Sequence, residues 1–476
     1  MKKVTLFGMG IFIILISSLV QGSTTPVNSR NTIYVDDDNL NGPWDGSFQN
    51  PFQHIRDGIA AASSGDTVFV FEGSYNEDVY FGKSLEVKGE NRDNTIIHGL
   101  VRIQGSEWAI LNGFTIRSLK DVGIIIYSQK HITVHNNSIL NCTGTGIAIQ
   151  ECCNSTFSNN IISGNRGYGL ESWYNCCSNC FFNNTFIGNW DGGIYGAGYC
   201  SNNYYIDNVI YGNGGDGGYY GPDQNSFFYR NIIIYNSLGL DLSHANGCMF
   251  EQNNILNNSR AGLWGGTQNT IKNNIISGNG WDGIFCSSNS NFIENNSIIF
   301  NKGNGIQIQY CQGNIIKKNT IESNNKDGIE IIYRVQNNKI ENNSISNNNG
   351  NGITMIGGTY GKNKKNIISY NMISNNSKFG IYISGGILSR NRANQIYYNE
   401  ISYNIKGGIF VEGGKKVGNN FNQFFFNNLI ENTNSSYDSG FNLYLMNYWS
   451  DFNGFGMYKI PGGINRDPLP LRNPII

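Results

Sequence analysis

Short apolar runs recur along this chain at an almost constant spacing, and in its central part each run starts just after a glycine. Successive glycines of this series lie 21 to 28 residues apart, at Gly123, Gly146, Gly169, Gly193, Gly218, Gly239, Gly262, Gly283, Gly305, Gly328, Gly352, Gly380 and Gly408. A second series, an asparagine before an apolar pair, keeps the same period at Asn137, Asn160, Asn184, Asn208, Asn231, Asn254, Asn274, Asn296, Asn319, Asn343, Asn371, Asn399 and Asn428. Self-similarity at this period indicates stacked supersecondary units that bury one continuous core.

Each repeat unit contains two strand-like runs and a third, weaker one. Gly146-Ile147-Ala148-Ile149 and Asn160-Ile161-Ile162 show the two clear runs of one unit. Runs this short form no stable sheet alone, but stacked in register they form parallel sheets, and the crossover rule makes the winding right-handed. We therefore predict an all-β, right-handed parallel β-helix of about thirteen coils, with asparagine amides hydrogen-bonding along the stack.

Residues 32–100 break the repeat and predict a cap for the open end of the core. Tyr34-Val35 and Thr67–Val70 read as strands, and between them Phe52, Ile55 and Ile59 have the spacing of a short amphipathic helix. Such a helix covers apolar side chains and strand edges that the first coil would otherwise expose. The predicted organisation is an export signal over 1–22, a spacer over 23–31, the cap and first coils over 32–100, β-helix repeats over 101–433 and a C-terminal cap over 434–476.

The N-terminus has the pattern of a secretory signal. Lys2 and Lys3 precede an apolar stretch from Val4 to Val20, and Val20-Gln21-Gly22 offers a cleavage site. The alternative is an uncleaved membrane anchor, since the stretch is almost long enough to span a bilayer. We expect a secreted or cell-surface protein, periplasmic where the source has a periplasm.

Charge and composition limit the kinds of partner that the protein is expected to bind. The chain has 33 basic and 34 acidic residues, and charged residues make up only 14% of it, so nothing electrostatic points to nucleic acid. Sixty glycines and abundant asparagine are typical of tight turns, where both residues tolerate positive φ. We expect a monomer without a cofactor. N-x-S/T sequons, for example at Asn136, Asn183, Asn295 and Asn342, follow almost automatically from an asparagine series and carry little weight here.

Ten cysteines are concentrated in a few coils. Cys152, Cys176 and Cys200 are 24 residues apart, as are Cys153 and Cys177, so each set is expected to stack on neighbouring coils. Strands about 4.8 Å apart suit a disulfide. Three interpretations stay open: cross-coil disulfides, a buried stack of free thiols, or a soft-metal site. The candidate metal ligands are Cys152, Cys153, Cys176, Cys177 and Cys180.

Alternation along the strand that follows each glycine predicts which side chains face solvent. Aromatic rings and acids dominate these positions in the middle coils. The candidate glycan-binding residues are Glu171, Trp173, Tyr195, Tyr220, Trp264 and Phe285. Exposed rings beside hydrogen-bonding groups suit the apolar faces of sugars. The alternative is that aromatic residues simply favour strands and are half covered by turns.

Candidate catalytic acids are fewer. Glycosidases place two carboxyl groups about 5 to 9.5 Å apart, and Asp191 and Asp216, each before a glycine on consecutive coils, are the best pair. Asp282 and Asp327 take similar places, and Asp before Gly is also ordinary turn chemistry. Asp241 and His244 share one coil. The paired-Asp, Gly-His-Gly and Arg-Ile-Lys signatures of polygalacturonases are missing, so binding is favoured over catalysis.

The two ends of the chain resemble a known family. Tyr34-Val35-Asp36-Asp37-Asp38-Asn39, Gly42-Pro43-Trp44-Asp45-Gly46-Ser47, Gly65-Asp66-Thr67-Val68, Gly73-Ser74-Tyr75-Asn76-Glu77, Asn447-Tyr448-Trp449-Ser450-Asp451-Phe452 and Ile460-Pro461-Gly462-Gly463 carry the likeness. They are similar to the ends of exported NosD-like parallel β-helix proteins, within the pectin-lyase-like superfamily. The resemblance implies a carbohydrate-binding or sugar-hydrolase-like domain, and NosD itself serves copper-site maturation of nitrous oxide reductase.

One departure from that family matters. Relatives often have an Asp-rich, calcium-loop-like insert after the Trp-Ser-Asp motif, but residues 453–459 contain no acid, so no calcium site is expected. Copper delivery also lacks a His- or Met-rich tract. The sequence therefore favours an exported protein that binds a polysaccharide or glycan along one sheet face. The alternatives are a polysaccharide lyase or glycoside hydrolase, a structural surface protein, and a metal-delivery accessory protein.

Overall fold

The computed structural model describes residues 31–220, 223–357, 361–385, 391–413 and 419–475, and for Tyr219 and Tyr220 the backbone only. The predicted export signal and its cleavage site lie outside these ranges. No helix within them is long and apolar enough to cross a lipid bilayer.

The chain winds into coils, each made of three short strands. In one coil these are Ile147–Gln150, Thr156–Ser158 and Ile161–Ser163, and each pairs in parallel with its equivalents one coil earlier and one coil later. We call the three resulting stacks the first, second and third sheets, in the order the chain passes through them. They contain 16, 18 and 17 strands. The predicted parallel β-helix is confirmed.

The strands of the first sheet are Val79–Phe81, Val101–Ile103, Ile124–Tyr127, Ile147–Gln150, Tyr168–Trp173, Gly192–Ala197, Asp216–Tyr220, Leu240–Asp241, Leu263–Trp264, Ile284–Cys286, Ile306–Gln309, Ile329–Ile332, Ile353–Ile356, Phe379–Ser384, Gly407–Glu412 and Ser436–Asp438. Those of the second are Thr32–Val35, Thr67–Val70, Glu86–Gly89, Ala109–Asn112, Ile132–His135, Thr156–Ser158, Cys180–Phe182, Tyr204–Ile206, Phe227–Tyr229, Met249–Glu251, Thr270–Lys272, Phe292–Glu294, Ile315–Lys317, Lys339–Glu341, Ile367–Ser369, Gln395–Tyr397, Asn420–Phe425 and Phe441–Leu445. The third contains Gly73–Tyr75, Thr95–Ile97, Thr115–Ile116, Ser138–Leu140, Ile161–Ser163, Thr185–Ile187, Val209–Tyr211, Ile232–Ile234, Asn254–Leu256, Ile275–Ser277, Ser297–Ile299, Thr320–Glu322, Ser344–Ser346, Met372–Ser374, Glu400–Ser402, Asn428–Ile430 and Tyr448–Trp449. Two small pairs complete the list, Asn363–Lys364 with Asn391–Arg392 and Tyr458–Lys459 with Arg466–Asp467.

The number of coils is about sixteen rather than the thirteen predicted. Three strands of the first sheet, Val79–Phe81, Val101–Ile103 and Ser436–Asp438, lack the glycine that marks the others and so escaped the count. The coils thus begin within residues 32–100, which the sequence assigned to the cap and first coils, and they continue into the predicted C-terminal cap.

The predicted helix of the N-terminal cap forms over Ile55–Ala61. It closes the end of the core, and the backbone of Gly58 approaches Val35 and Val68 so closely that a Cβ there would overlap with Val35. Glu77 caps the helix from another segment, because its carboxylate accepts hydrogen bonds from the amides of Ile55 and Arg56 at 2.8 and 3.0 Å.

The core lies between the sheets and is built from like side chains stacked along the axis. On the second sheet the buried rings of Phe157, Phe181, Tyr205, Phe228 and Phe250 follow one another with centroids 4.6 to 5.0 Å apart. This spacing equals the separation of neighbouring strands, so parallel register alone sets the contact.

Close packing between coils, not turn geometry, explains the glycine series. These glycines do not have positive φ. A Cβ on Gly283 would lie 2.5 Å from the Ile298 side chain and 2.7 Å from the carbonyl oxygen of Gly305, the equivalent glycine one coil later. The expectation that glycine serves turns here is therefore wrong for the series, because its glycines admit a tight coil-on-coil contact.

Asparagine amides form hydrogen-bonded ladders along the axis, as predicted, but there are three ladders rather than one. In the ladder at the turn between the third and first sheets, Asn324 shows the repeating pattern. Its Oδ1 accepts from the backbone amide and the Nδ2 of Asn301, both at 3.0 Å. Its Nδ2 donates to Asn348 at 3.0 Å and to the carbonyl of Ile298 at 3.1 Å.

Two members of the predicted asparagine series are wrong by one residue. Asn253 and Asn427 occupy the ladder between the second and third sheets, while Asn254 and Asn428 are the first residues of the following strands. Each error falls at an Asn-Asn pair, where spacing alone does not distinguish the two residues.

We expect Asn324→Ala to destabilise its neighbourhood, because it leaves two buried donors of Asn301 without an acceptor. Unsatisfied buried donors cost about 1–3 kcal/mol each, so the amide of Asn301 should exchange its hydrogen roughly 100-fold faster. Hydrogen exchange followed by mass spectrometry over residues 298–304 measures the change. Asn325→Ala is the matched control, since Asn325 is exposed, and it should leave exchange unchanged. Equal effects of both substitutions would contradict the ladder's role.

Candidate functional site

The outward face of the first sheet presents up to three side chains per coil around the glycine series. In the coil of Gly169 the outward side chains are Tyr168, Glu171 and Trp173, while Leu170 and Ser172 are buried. The residue before the glycine and the second residue after it therefore face the same side. The acid–aromatic face is the name we use for the outward side chains Tyr168, Glu171, Trp173, Asp191, Tyr195, Asp216, Asp241, Arg260, Trp264 and Trp281.

The strand register corrects one predicted member of this face. Tyr195 pairs with Tyr219 and not with Tyr220, whose partner is Gly196. The glycine of this coil is Gly217, because a Cβ there would overlap with Gly239 and Ile233 as at the other glycines of the series. Gly218 instead pairs with Ile194, the residue after Gly193. Tyr220 was thus placed one residue too far along, and its side chain lies outside the described residues.

Tyr168 lies at the centre of a group of carboxylates. Burial, followed by the negative charges of Asp191, Glu171 and Asp216 among its neighbours, raises the pKa of Tyr168 to about 12. Its ring stacks on that of Tyr195 with centroids 4.8 Å apart. The sequence prediction missed Tyr168 because it followed the alternation only along the residues after each glycine, and Tyr168 precedes Gly169.

The surroundings of Glu171 raise the pKa of its carboxyl group. Burial is the main cause of its raised pKa, and the charges of Asp191 and Asp121 add to it. Hydrogen bonds from the side chains of Thr145 and Trp173 act in the opposite direction, the first at 3.0 Å. The carboxyl group therefore has both a fixed orientation and an unusually high proton affinity.

Asp216 and Asp241 interact on neighbouring coils. Burial and then the charge of Asp241 raise the pKa of Asp216, while the nearby Arg260 lowers it. Asp241 accepts hydrogen bonds from the amide and the hydroxyl group of Ser243 at 2.9 and 2.6 Å. His244 follows in the turn and is exposed. The structure groups the acids but does not bring His244 into a hydrogen bond with them.

Asp191 and Asp216 are not equivalent positions of their coils. Asp216 pairs with Gly192, so Asp191 lies one residue earlier along the strand direction, in the exposed turn. Both remain neighbours of Tyr168, which links them electrostatically. The two acids of the predicted pair therefore lie on consecutive coils but are staggered by one residue.

Ring stacking changes the expected picture of the aromatic residues. Trp264 and Phe285 stack with centroids 3.9 Å apart, and Phe285 is only 8% exposed. The prediction of Phe285 as an exposed ring is wrong, because rings on successive coils cover one another's faces. Trp173 is 43% exposed and remains accessible, and Tyr195 and Trp264 are half-buried.

Turn residues supply further rings that strand alternation did not indicate. Trp281 is 46% exposed, and the guanidinium of Arg260 lies 4.8 Å from its ring centroid. Trp190 repeats this arrangement with Arg166 at 5.8 Å. Such contacts fix the indoles at one edge of the face. In the sequence, each contact corresponds to an Arg one coil before a Trp. This pattern can be recognised only when the register of the coils is known.

A second group of acids lies further along the same sheet. Asp282 and Asp327 each accept a hydrogen bond from the backbone of the next coil, at Asn304 and Asn351, both at 2.6 Å. These two acids therefore hydrogen-bond between neighbouring coils. Glu330 accepts from the Nδ2 of Asn304 at 2.9 Å, and burial, then the charges of Asp327 and Asp282, raise its pKa to about 7.

The cysteines satisfy two of the three interpretations at adjacent residues. Cys153 and Cys177 form a cross-coil disulfide with their Cα atoms 4.6 Å apart. Cys152 and Cys176, one residue earlier in each coil, are buried free thiols, and Cys200 continues their column.

Cys180 is half-buried on the second sheet, away from that column. The five candidate metal ligands therefore do not converge. Among the described residues, His, Cys, Asp and Glu form no group of three or more that could hold a metal ion.

The chain belongs to the family described as "Right handed beta helix region". The family matches residues 28–194, 171–291, 224–363 and 282–447, which together span most of the chain. This agrees with the parallel register of the three sheets and gives the hand of the winding. No curated protein matches the chain.

Several solved structures resemble it at low identity. The A-module of mannuronan C-5 epimerase AlgE6 from Azotobacter vinelandii is 12% identical, with 90% of this chain and 99% of that one covered and a TM-score of 0.31. The receptor-binding tailspike of bacteriophage Det7 is 10% identical, covering 78% and 77%, with a TM-score of 0.42. An α-1,3-glucanase from Streptomyces thermodiastaticus is 14% identical, covering 74% and 66%, with a TM-score of 0.36. At these values the likeness carries no information about ligands.

The raised pKa of Glu330 makes a signed prediction about stability. The carboxyl group of Glu330 has a pKa near 4.5 in the unfolded chain and near 7 in the folded protein. Its contribution to the free energy of unfolding is therefore complete below pH 4.5, and about 2–3 kcal/mol of that free energy is lost as the pH rises to 7. Glu330→Gln keeps the acceptor for Asn304 without a charge. We expect it to match the parent at pH 4 and to exceed it in stability at pH 8.

Denaturant midpoints at the two pH values measure the effect. Glu341→Gln, on the second sheet, is the control. The shift of its denaturant midpoint from that of the parent should be the same at both pH values. The same stability change for Glu330→Gln at both pH values would contradict the assignment.

Proposed function

We propose that the protein binds a polysaccharide or glycan outside the cytoplasm, along the acid–aromatic face of the first sheet. The observation that carries this proposal is the arrangement of half-exposed indole and phenol rings around four carboxyl groups, of which three are half-buried and one, that of Asp191, is exposed. A long, shallow face of this kind suits an extended chain of repeating units better than a compact ligand.

The accessible rings lie where a sugar chain could contact them. Trp173 is on one side of the face and Trp281 on the other, with Tyr195 and Trp264 between them. Since stacked rings expose mainly their edges, the half-exposed indoles at the two sides are the surfaces free for C–H groups of a sugar ring. The carboxyl groups between them accept hydrogen bonds from hydroxyl groups.

Charge favours an uncharged or basic glycan. The face has four acids, Glu171, Asp191, Asp216 and Asp241, against the guanidinium of Arg260, and Arg166 lies at its edge. The pKa values of Glu171 and Asp216 are already raised by burial and by neighbouring acids. A polyuronate would add like charge to this group, whereas neutral or amino sugars would not.

Hydrolysis or elimination on the same face is the second candidate. It is favoured by one observation, the Tyr168 hydroxyl group among Asp191, Glu171 and Asp216. A raised-pKa carboxyl beside another acid is the arrangement from which a general acid and its partner are made. Release of reducing or unsaturated ends from a panel of polysaccharides would assign this activity, and its loss in Glu171→Gln would locate it.

We expect Trp173→Ala and Trp281→Ala each to weaken glycan binding about tenfold, because a half-exposed ring that stacks on a sugar contributes roughly 1–1.5 kcal/mol. A glycan array identifies the ligand, and isothermal titration of the variants measures the change. Trp44→Ala is the matched control, since Trp44 is similarly exposed but lies in the N-terminal cap. Unchanged affinity in both face variants would rule out this face as the binding site.

A further inference from the structure

We propose that exposed asparagines on the two corners bordering the third sheet are sites of N-glycosylation. Among the asparagines with positive φ on these corners, seven begin an N-x-S/T sequon. Asn136, Asn183, Asn295 and Asn342 lie on the corner between the second and third sheets, and Asn141, Asn257 and Asn375 lie on the corner between the third and first sheets.

The structure separates these asparagines from the ladders. Each acceptor is exposed at a left-handed corner with φ between 52° and 56°. In the four sequons between the second and third sheets, the ladder supplies only the middle residue, such as the buried Asn184 after Asn183, and the hydroxyl residue, such as Thr185, opens the next strand. A ladder alone therefore creates no sequon, because the acceptor and the hydroxyl occupy two other positions.

The acceptor asparagine and the Ser or Thr two residues later tend to occur together. Over the described coils, 28 residues with positive φ occupy these two corners. Asparagine is at seven of the 11 corners followed two residues later by Ser or Thr, but at only three of the other 17, which are Asn159, Asn273 and Asn347. Were sequons an accident of repeated asparagines, the two fractions would be alike. The difference favours selection of the complete sequon.

Spacing along the axis gives independent support. On neither corner do two of the seven sequons lie on adjacent coils, which are only about 4.8 Å apart. The nearest pairs, Asn136 with Asn183 and Asn295 with Asn342, are two coils apart, about 10 Å. The three corner asparagines without a sequon each lie one coil from a sequon asparagine on the same corner. This distribution leaves room for one sugar chain at each site.

The modification transfers an oligosaccharide from a lipid-linked phosphate or diphosphate donor. The Nδ2 atom bonds to the anomeric carbon, the carbon–oxygen bond to the phosphate breaks, and the lipid phosphate leaves with the electron pair. One amide proton is lost to solvent or to the phosphate. The seven side chains are exposed at the corners. The Nδ2 atoms of Asn183 and Asn295 also donate to Asn159 and Asn273 at 2.7 and 2.6 Å, and that of Asn136 to Asn112 at 3.5 Å. An amide nitrogen has two N–H groups, so the one that remains after modification can keep such a bond.

Glycopeptide mass spectrometry of the full chain purified from its own source tests the proposal. Carbohydrate is expected on peptides containing the seven sequon asparagines and none on Asn159, Asn273 or Asn347. Bare peptides at all seven would overturn the proposal, and each individual bare site would remove that residue from it.

A matched pair of variants separates modification from folding. Thr185→Ala should remove the glycan from Asn183 while the asparagine itself remains. Thr320→Ala changes the same strand position in a coil whose corner residue is Lys318, and it should leave every glycan in place. Loss of carbohydrate from both variants, or from neither, would contradict the assignment.

Discussion

The amide ladder is the interaction on which the rest of this solenoid depends. Each ladder asparagine accepts with Oδ1 from the coil before it and donates with Nδ2 to the coil after it, as Asn324 does between Asn301 and Asn348. The chain of bonds has a direction, so it needs an acceptor at its last member. Asp467 supplies one to Asn447, and Asp438 supplies one to Asn442. Two buried carboxylates of the C-terminal segment thus complete hydrogen bonding that begins many coils earlier.

Register fixed in this way decides what the outer faces can present. Because equivalent residues lie one strand spacing apart, rings stack on rings and acids lie beside acids. Stacked rings cover one another's faces, as Trp264 and Phe285 do. An acid on one coil raises the pKa of an acid on the coil before it, as Asp241 does for Asp216. The binding properties of the face therefore follow from the packing of coils as much as from the choice of residues.

The sequence predicted the fold well because period and strand pattern are both local. It placed the cap helix and the strand Thr67–Val70 correctly, since their patterns are unambiguous. Errors arose at paired residues such as Gly217-Gly218 and Asn253-Asn254, where a period tolerates a shift of one and only hydrogen bonds between coils resolve it. Sequence alternation also could not show ring orientation, nor bring Arg260 beside Trp281 from a turn.

The same reasoning explains why the acid–aromatic face can be accommodated at all. A buried carboxyl group destabilises a fold unless it is hydrogen-bonded, and here one coil supplies the donor for the acid of the next. Thr145 donates to Glu171, and Asn304, at the equivalent position further along, donates to Glu330. In both cases the donor directly precedes a glycine of the series, and the acid is the second residue after the next one. A repeated backbone therefore repeats the support for a buried acid, and this lets a solenoid hold acids at raised pKa on several coils without a separate pocket for each.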